Sequence, residues 1–243
     1  IRSHPMVFTT RASYAEEIQK IAKHWNDLGL SRMVVVHYDD EIGNQNYQTV
    51  ADYLAKQGLQ PTSVKIRDRS GNVDPAVVQQ IHKAQPNVVI NTTLYSTASN
   101  LVRQLQADKS RYYHVSSLSF VGASQLAQKL GSSGAGISVA QVVPNPSVLS
   151  APVVKECRDA HSRAGHTGGM TFTALEACIS AKVLVAALGR IRGEISRQSL
   201  YEALQGLGSY DAGGYTVTFN SGAQHGGHHV DLFVMNRSGE LKQ

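Results

Sequence analysis

The sequence is poor in cysteine and has no block of like charge. Only Cys157 and Cys178 occur in 243 residues, without CxxC spacing, so neither a thiolate metal cage nor a disulfide-dense scaffold is on offer. They fall on two neighbouring expected helices. Two small buried thiols is the first reading, and a bridge in an oxidising compartment is the alternative. Lys and Arg number 23 against 18 Asp and Glu, a net charge of +5. The basic residues are scattered singly and never interleave with aromatics, which describes a solvated surface and argues against nucleic acid as a partner. The longest apolar stretch, 174–188, is broken by Glu176, Ser180 and Lys182, and so reads as a buried helix and not a membrane span. No charged, apolar and small-residue succession of a signal peptide stands at the start. No GxGxxG loop follows a strand, and no P-loop or GxSxG elbow occurs, so the common phosphate and nucleophile motifs are missing.

What is present is a repeat of strand and helix signals. The run Arg32-Met33-Val34-Val35-Val36-His37-Tyr38 is apolar at consecutive positions, as suits a strand covered on both faces of a parallel sheet. Ahead of it, 14–28 places Tyr14, Ile18, Ile21, Ala22, Trp25 and Leu28 on one helical face, with Gly29 as a left-handed stop. Helices are expected over 44–56, from Pro75 behind the cap Asp74, and over 97–107, with strands at 61–66, 87–91 and 112–116. A short helix ends at Leu130. This spacing is that of βαβ units, and it predicts an α/β lobe with a parallel sheet.

Gly131-Ser132-Ser133-Gly134-Ala135-Gly136 reads as a flexible breaker, feeding a strand at 137–142 and a crossing at Val143-Pro144-Asn145-Pro146. Beyond it the pattern turns helical. Helices are expected over 152–163 and 173–188, the latter apolar nearly all round and so enclosed, with Thr173 and Glu176 as a capping box. Ser196 caps a further helix. Closing strands fall at 215–219 and 230–235, the second returning to the first lobe. The domain expectation is an opening segment and first crossover at 1–10, a ligand-binding α/β lobe at 11–140, the remainder of a second lobe at 141–221, and a return crossover with closing strand at 222–243.

Parallel sheets bind ligands beyond the carboxyl ends of their strands. Those ends offer Asp39 to Gly43, then Thr92 to Ser96, then Ser116 to Phe120, a set of hydroxyls, amides and aromatics that suits a small polar ligand with an organic body. Asp39 and Asp40 read as caps and turn formers, not as an acid/base pair, because adjacent turn residues point apart and no nucleophile is near. His225, His228 and His229 lack cysteine or acidic partners at ligand spacing and read as exposed histidines of a glycine-rich hairpin, not a metal site. No cofactor site is expected.

The ordered set of segments resembles a known family. Pro5-Met6-Val7-Phe8-Thr9-Thr10-Arg11-Ala12-Ser13-Tyr14 followed by Val34-Val35-Val36-His37-Tyr38-Asp39-Asp40-Glu41-Ile42-Gly43 is similar to the opening and acidic turn of periplasmic type I solute-binding proteins, in the leucine/isoleucine/valine-binding branch of ABC importers. Gly136-Ile137-Ser138-Val139-Ala140-Gln141-Val142-Val143-Pro144-Asn145-Pro146 resembles that branch's crossover, Thr173-Ala174-Leu175-Glu176-Ala177 its helix start, and 225–239, with Val230-Asp231-Leu232, its close. The resemblance implies a type I binding-protein fold with one complete lobe and the helical remainder of another, this chain matching the C-terminal two-thirds of longer relatives.

It further implies an exported, non-enzymatic binding component, periplasmic or extracellular, that closes by hinge bending over a small organic ligand, amino-acid-like or carboxylate, and delivers it to a membrane permease. A sensor or receptor ectodomain on the same fold is the alternative. A sugar-repressor core would need a helix-turn-helix that the opening does not offer. Carried over by position, ligand contacts are expected at Ile42, Gly43, Thr93, Tyr95, Ser117, Leu118, Ser119 and Phe120. Where amino-acid binders of the family hold the ammonium with a glutamate, this sequence has Ser117-Leu118-Ser119, which implies a carboxylate or other small ligand without an ammonium. A monomer is expected for the full-length protein, and self-association through the exposed side of 173–188 for this length of chain.

Overall fold

A computed structural model describes His4 and residues 6–220 and 224–243. Pro5 of the opening motif and the 221/222 boundary lie outside the described residues. The chain divides into two compact units, one of residues 14–141 and 231–243, the other of the described residues in 1–13 and 142–230.

The larger unit is wound as strand and helix alternately: α1 (Tyr14–Asp27), β1 (Met33–Tyr38), α2 (Glu41–Ala55), β2 (Thr62–Ile66), α3 (Pro75–Ala84), β3 (Val88–Asn91), α4 (Tyr95–Ala107), β4 (His114–Ser117), a 3-10 turn (Ser119–Val121), α5 (Ala123–Leu130) and β5 (Ser138–Gln141). All six residues of β1 are buried, as the unbroken apolar run requires, and each fully buried valine contributes about 1.5–3 kcal/mol. Val36 stands between Val64 of β2 and Asn91 of β3 in parallel register. The α1 face of Ile18, Ile21, Ala22 and Trp25 is buried. Leu28, expected on that face, is exposed: the helix has already ended, and Gly29 turns the chain at φ 77°.

Two helices begin earlier than their apolar periods suggest. α2 opens at Glu41 because Asp40 caps it, and α4 opens at Tyr95 behind Leu94. The expected flexible breaker is instead a packed corner. Residues Gly131–Gly134 form a 3-10 turn, and a Cβ on Gly134 would lie 2.4 Å from the Met235 sulfur.

The smaller unit carries α6 (Pro152–Arg163), α7 (Phe172–Leu188), α8 (Arg197–Gln205), β6 (Gly208–Asp211) and β7 (Thr216–Phe219). Val153, Val154, Leu175, Ile179, Val183 and Phe219 form its core. β6, which the sequence did not announce, pairs antiparallel with β7. Its turn is held by the Asp211 carboxylate, which accepts the Gly213 and Gly214 amides at 2.9 and 2.6 Å.

α7 is not enclosed. Only its Leu175, Ile179, Val183 and Ala187 face is buried, while Leu184 and Val185 are exposed. Its cap is Thr171, whose hydroxyl accepts the Ala174 amide at 3.1 Å, and not the expected Thr173 box. Cys157 of α6 and Cys178 of α7 are joined as a disulfide, the alternative and not the first of the two sequence readings.

The chain then returns as β8 (Asp231–Met235) and β9 (Leu241–Lys242). The seven-stranded sheet has the order β2-β1-β3-β4-β5-β8-β9, parallel as far as β5 and antiparallel after it.

Candidate ligand-binding mouth

β1, β3 and β4 are adjacent and parallel, so their carboxyl-end turns stand side by side at one edge of the sheet. The first turn is fixed by its acids. Asp40 accepts the Gly43 amide at 2.8 Å, and its second oxygen meets Arg69, whose guanidinium lies 4.3 Å over the Tyr38 ring. Asp39 is paired with Lys65 at 2.8 Å and Arg67 at 3.2 Å. The Gly43 amide, then Arg69, hold the Asp40 carboxyl below the usual range, and Lys65, then Arg67, do the same for Asp39. Both acids are committed to holding the turn.

Gly43 has no room for a side chain, since a Cβ would lie 2.0 Å from the Tyr38 carbonyl oxygen. The same carbonyl accepts from His37 Nδ1 at 2.8 Å, so His37 Nε2 is the acceptor for the Ser63 hydroxyl at 2.8 Å. Burial keeps this imidazole neutral by pushing its pKa down. With the turn so braced, Ile42 is left 60% exposed.

The second turn is tied to the first. The Tyr38 hydroxyl accepts the Leu94 amide at 3.3 Å and meets the Thr97 hydroxyl at 3.0 Å, which sets the start of α4. Thr93 is fully buried and donates to Asn91 Oδ1 at 2.7 Å, while Asn91 Nδ2 donates to the Ser117 hydroxyl at 3.2 Å. Leu94 and Tyr95 are left 42% and 37% exposed. Gly122, at φ 78°, lies beside the Tyr95 ring, and the Lys129 ammonium stands 5.8 Å from that ring's centre.

In the third turn Leu118 is buried, and Ser119 is held by a residue the sequence did not single out. Fully buried Glu17 of α1 accepts the Ser119 amide at 2.7 Å and its hydroxyl at 3.0 Å. Phe120 packs on Tyr14, with ring centres 4.9 Å apart.

The structure thus gathers the eight expected contact residues at one sheet edge but divides their duties. Gly43, Thr93, Ser117, Leu118 and Ser119 brace the turns. Ile42, Tyr95 and Phe120, joined by Leu94, supply surface. Gln141, at the carboxyl end of β5, also belongs to this edge. Its only sequence signal was a long polar side chain inside an apolar run.

Elsewhere the 225–229 segment serves the smaller unit. His225 Nδ1 is 2.7 Å from the Thr9 hydroxyl, and a Cβ on Gly227 would lie 2.1 Å from the Thr10 carbonyl oxygen. Gly227 thus admits the opening segment, while Gly226 packs on Val217 and Phe219 of β7. Among the described residues no group of three metal-ligating side chains forms, and no helix is long and apolar enough to cross a membrane.

The comparisons agree with this architecture. A possible leucine/isoleucine/valine-binding protein from Rhodopirellula baltica superposes with a TM-score of 0.91 at 26% identity, covering 100% of this chain and 68% of that one. A substrate-binding periplasmic protein from Ralstonia solanacearum gives 0.88 at 28% identity, over 98% of this chain and 68% of the other. An extracellular ligand-binding receptor from Verminephrobacter eiseniae shares the fold, with 0.88 at 24% identity over 100% and 69%. No curated protein sequence matches the chain. The sequence profile of the periplasmic binding proteins matches residues 2–240, and the chain belongs to that family, with the type I fold of its leucine/isoleucine/valine-binding members.

Proposed function

We propose that this chain is the ligand-binding part of an extracytoplasmic solute-binding component of an ABC importer, which takes a small organic ligand at the β1, β3 and β4 mouth and presents it to a membrane permease. The observation that carries this is the arrangement of that edge. Its turns are braced by internal hydrogen bonds while Ile42 and Tyr95 stay uncovered, which is a preformed binding surface and not a worn loop. The cystine fits an oxidising compartment. The acids of the mouth are held by Lys65, Arg67 and Arg69, so they serve binding geometry and no turnover of substrate.

The smaller unit is the helical remainder of a second lobe in this reading, supported by the uncharged exposed side of α7 with Leu184 and Val185. Receptor use of the same fold is the second reading, favoured by the Verminephrobacter eiseniae protein's description as a receptor. Native mass spectrometry of the protein purified from its own host tests the proposal. A stoichiometric small molecule released on unfolding supports it. A ligand-free protein that binds nothing from amino-acid and organic-acid panels counts against it.

A further inference from the structure

Nearly every polar group of the mouth is already spent. Asp39 and Asp40 are neutralised by Lys65, Arg67 and Arg69. Thr93 donates its hydroxyl to Asn91, the Ser117 hydroxyl accepts from Asn91, and both donors of Ser119 are taken by Glu17. Glu41 is exposed in the first turn of α2 and accepts from Gln45 at 3.5 Å. An ammonium buried against this edge would find no buried carboxylate left to pair with, only exposed Glu41, and leaving it unpaired is costly.

Gln141 is the exception among the buried side chains of this edge. As a residue it is 3% exposed, its side-chain amide has no hydrogen-bond partner among the described residues, and the amide is not sealed away from solvent. Its position gives the amide a use. Side chains alternate across a strand. Ser138 of β5 meets Ser116 on the α1 side, whereas Val139 joins Val121 and Leu126 in the core on the α5 side. Gln141, two residues beyond Val139, is on that same face at the carboxyl end of β5, where the Ser119–Val121 turn packs against the strand. It stands at the mouth with both a donor and an acceptor unused.

We propose that Gln141 is the polar contact through which this mouth reads its ligand, and that the ligand is a small organic acid with a hydrocarbon or aromatic body and no ammonium group. The inference rests on the binding-protein reading and sharpens it. The amide N–H donates to a ligand oxygen, while Ile42, Leu94, Tyr95 and Phe120 cover the body.

The test uses the complete protein and two probes that differ by an ammonium alone, 4-methylpentanoate and L-leucine, measured by titration calorimetry. The expected result is binding of 4-methylpentanoate at least tenfold tighter than leucine. Gln141→Leu should weaken 4-methylpentanoate at least tenfold while leaving the melting temperature of the unliganded protein unchanged or raised. Gln141→Glu should reject 4-methylpentanoate further and narrow its gap to leucine. Leucine binding as tightly as its deaminated analogue overturns the ligand class. Wild-type affinity in Gln141→Leu overturns the role of Gln141. Where neither probe binds, the molecule retained in native mass spectrometry decides: an ammonium in it overturns the class. No retained molecule, with no binding from wider panels, overturns the binding reading itself.

Discussion

Glu17 and Ser119, 102 residues apart, form a two-point clamp, the buried carboxylate accepting both the amide and the hydroxyl of the serine. The clamp fixes the turn after β4 from beneath. Glu17→Ala would leave two part-buried donors without their acceptor, and hydrogen bonds to a charged group contribute roughly 1.5–3 kcal/mol each. A stability loss of about 2–4 kcal/mol is expected in urea unfolding, and an unchanged midpoint would show that the turn is held by other means.

Gly43 is expected to tolerate no side chain. Its would-be Cβ meets backbone, the Tyr38 carbonyl at 2.0 Å, so relief requires moving β1 or α2. Gly43→Ala should cost about 3 kcal/mol or more, read as a drop in thermal midpoint. Gly168→Ala, where nothing lies within 4 Å, is the control and should unfold with the wild type.

Cys157 and Cys178 close a loop with a sequence separation of 21, for which the chain-entropy account gives about 3 kcal/mol. Reduction, or a Cys157→Ser and Cys178→Ser double variant, should lower stability by that amount. Calorimetry with and without reductant checks it, and equal midpoints would show that the bridge adds nothing.

His37 makes stability depend on pH in a definite direction. Burial sets its folded pKa below the ordinary histidine value of 6.5, so below that pH the unfolded chain binds a proton that the folded one refuses. The contribution is fully present above 6.5 and is lost as pH falls from 6.5 toward the folded pKa. Asp39 and Asp40, depressed below 3.8, act in the same direction at lower pH. Unfolding free energies measured from pH 7.5 down to pH 5 should decline, and His37→Asn, which does not titrate, should flatten that slope.

The sheet was legible in the sequence because strands covered on both faces carry their apolar residues in one run, as 33–36 does, and because Asp40 and Asp74 mark helix starts locally. That the turns after β1, β3 and β4 share one edge was also legible, since parallel neighbours align their carboxyl ends. The division of labour among them was not. Glu17 sits beside Glu16 on an amphipathic helix, and nothing local separates the buried glutamate from its neighbour, because the partner lies in a distant turn. The cystine could not be decided from spacing, which carries no distance between two helices. β6, Gly-Ser-Tyr-Asp, has no apolar run, and its pairing comes from the Asp211 turn and from β7.

The chain has one tryptophan, Trp25, whose indole N–H donates to Ser116 at 2.6 Å in the larger unit. Intrinsic tryptophan emission is therefore a gauge of that unit alone. Loss of α6, α7 and α8 would leave the dye-free fluorescence signal in place while ellipticity fell. Matching fluorescence and circular dichroism transitions would mean that the two units melt together, and separated transitions would give each its own stability.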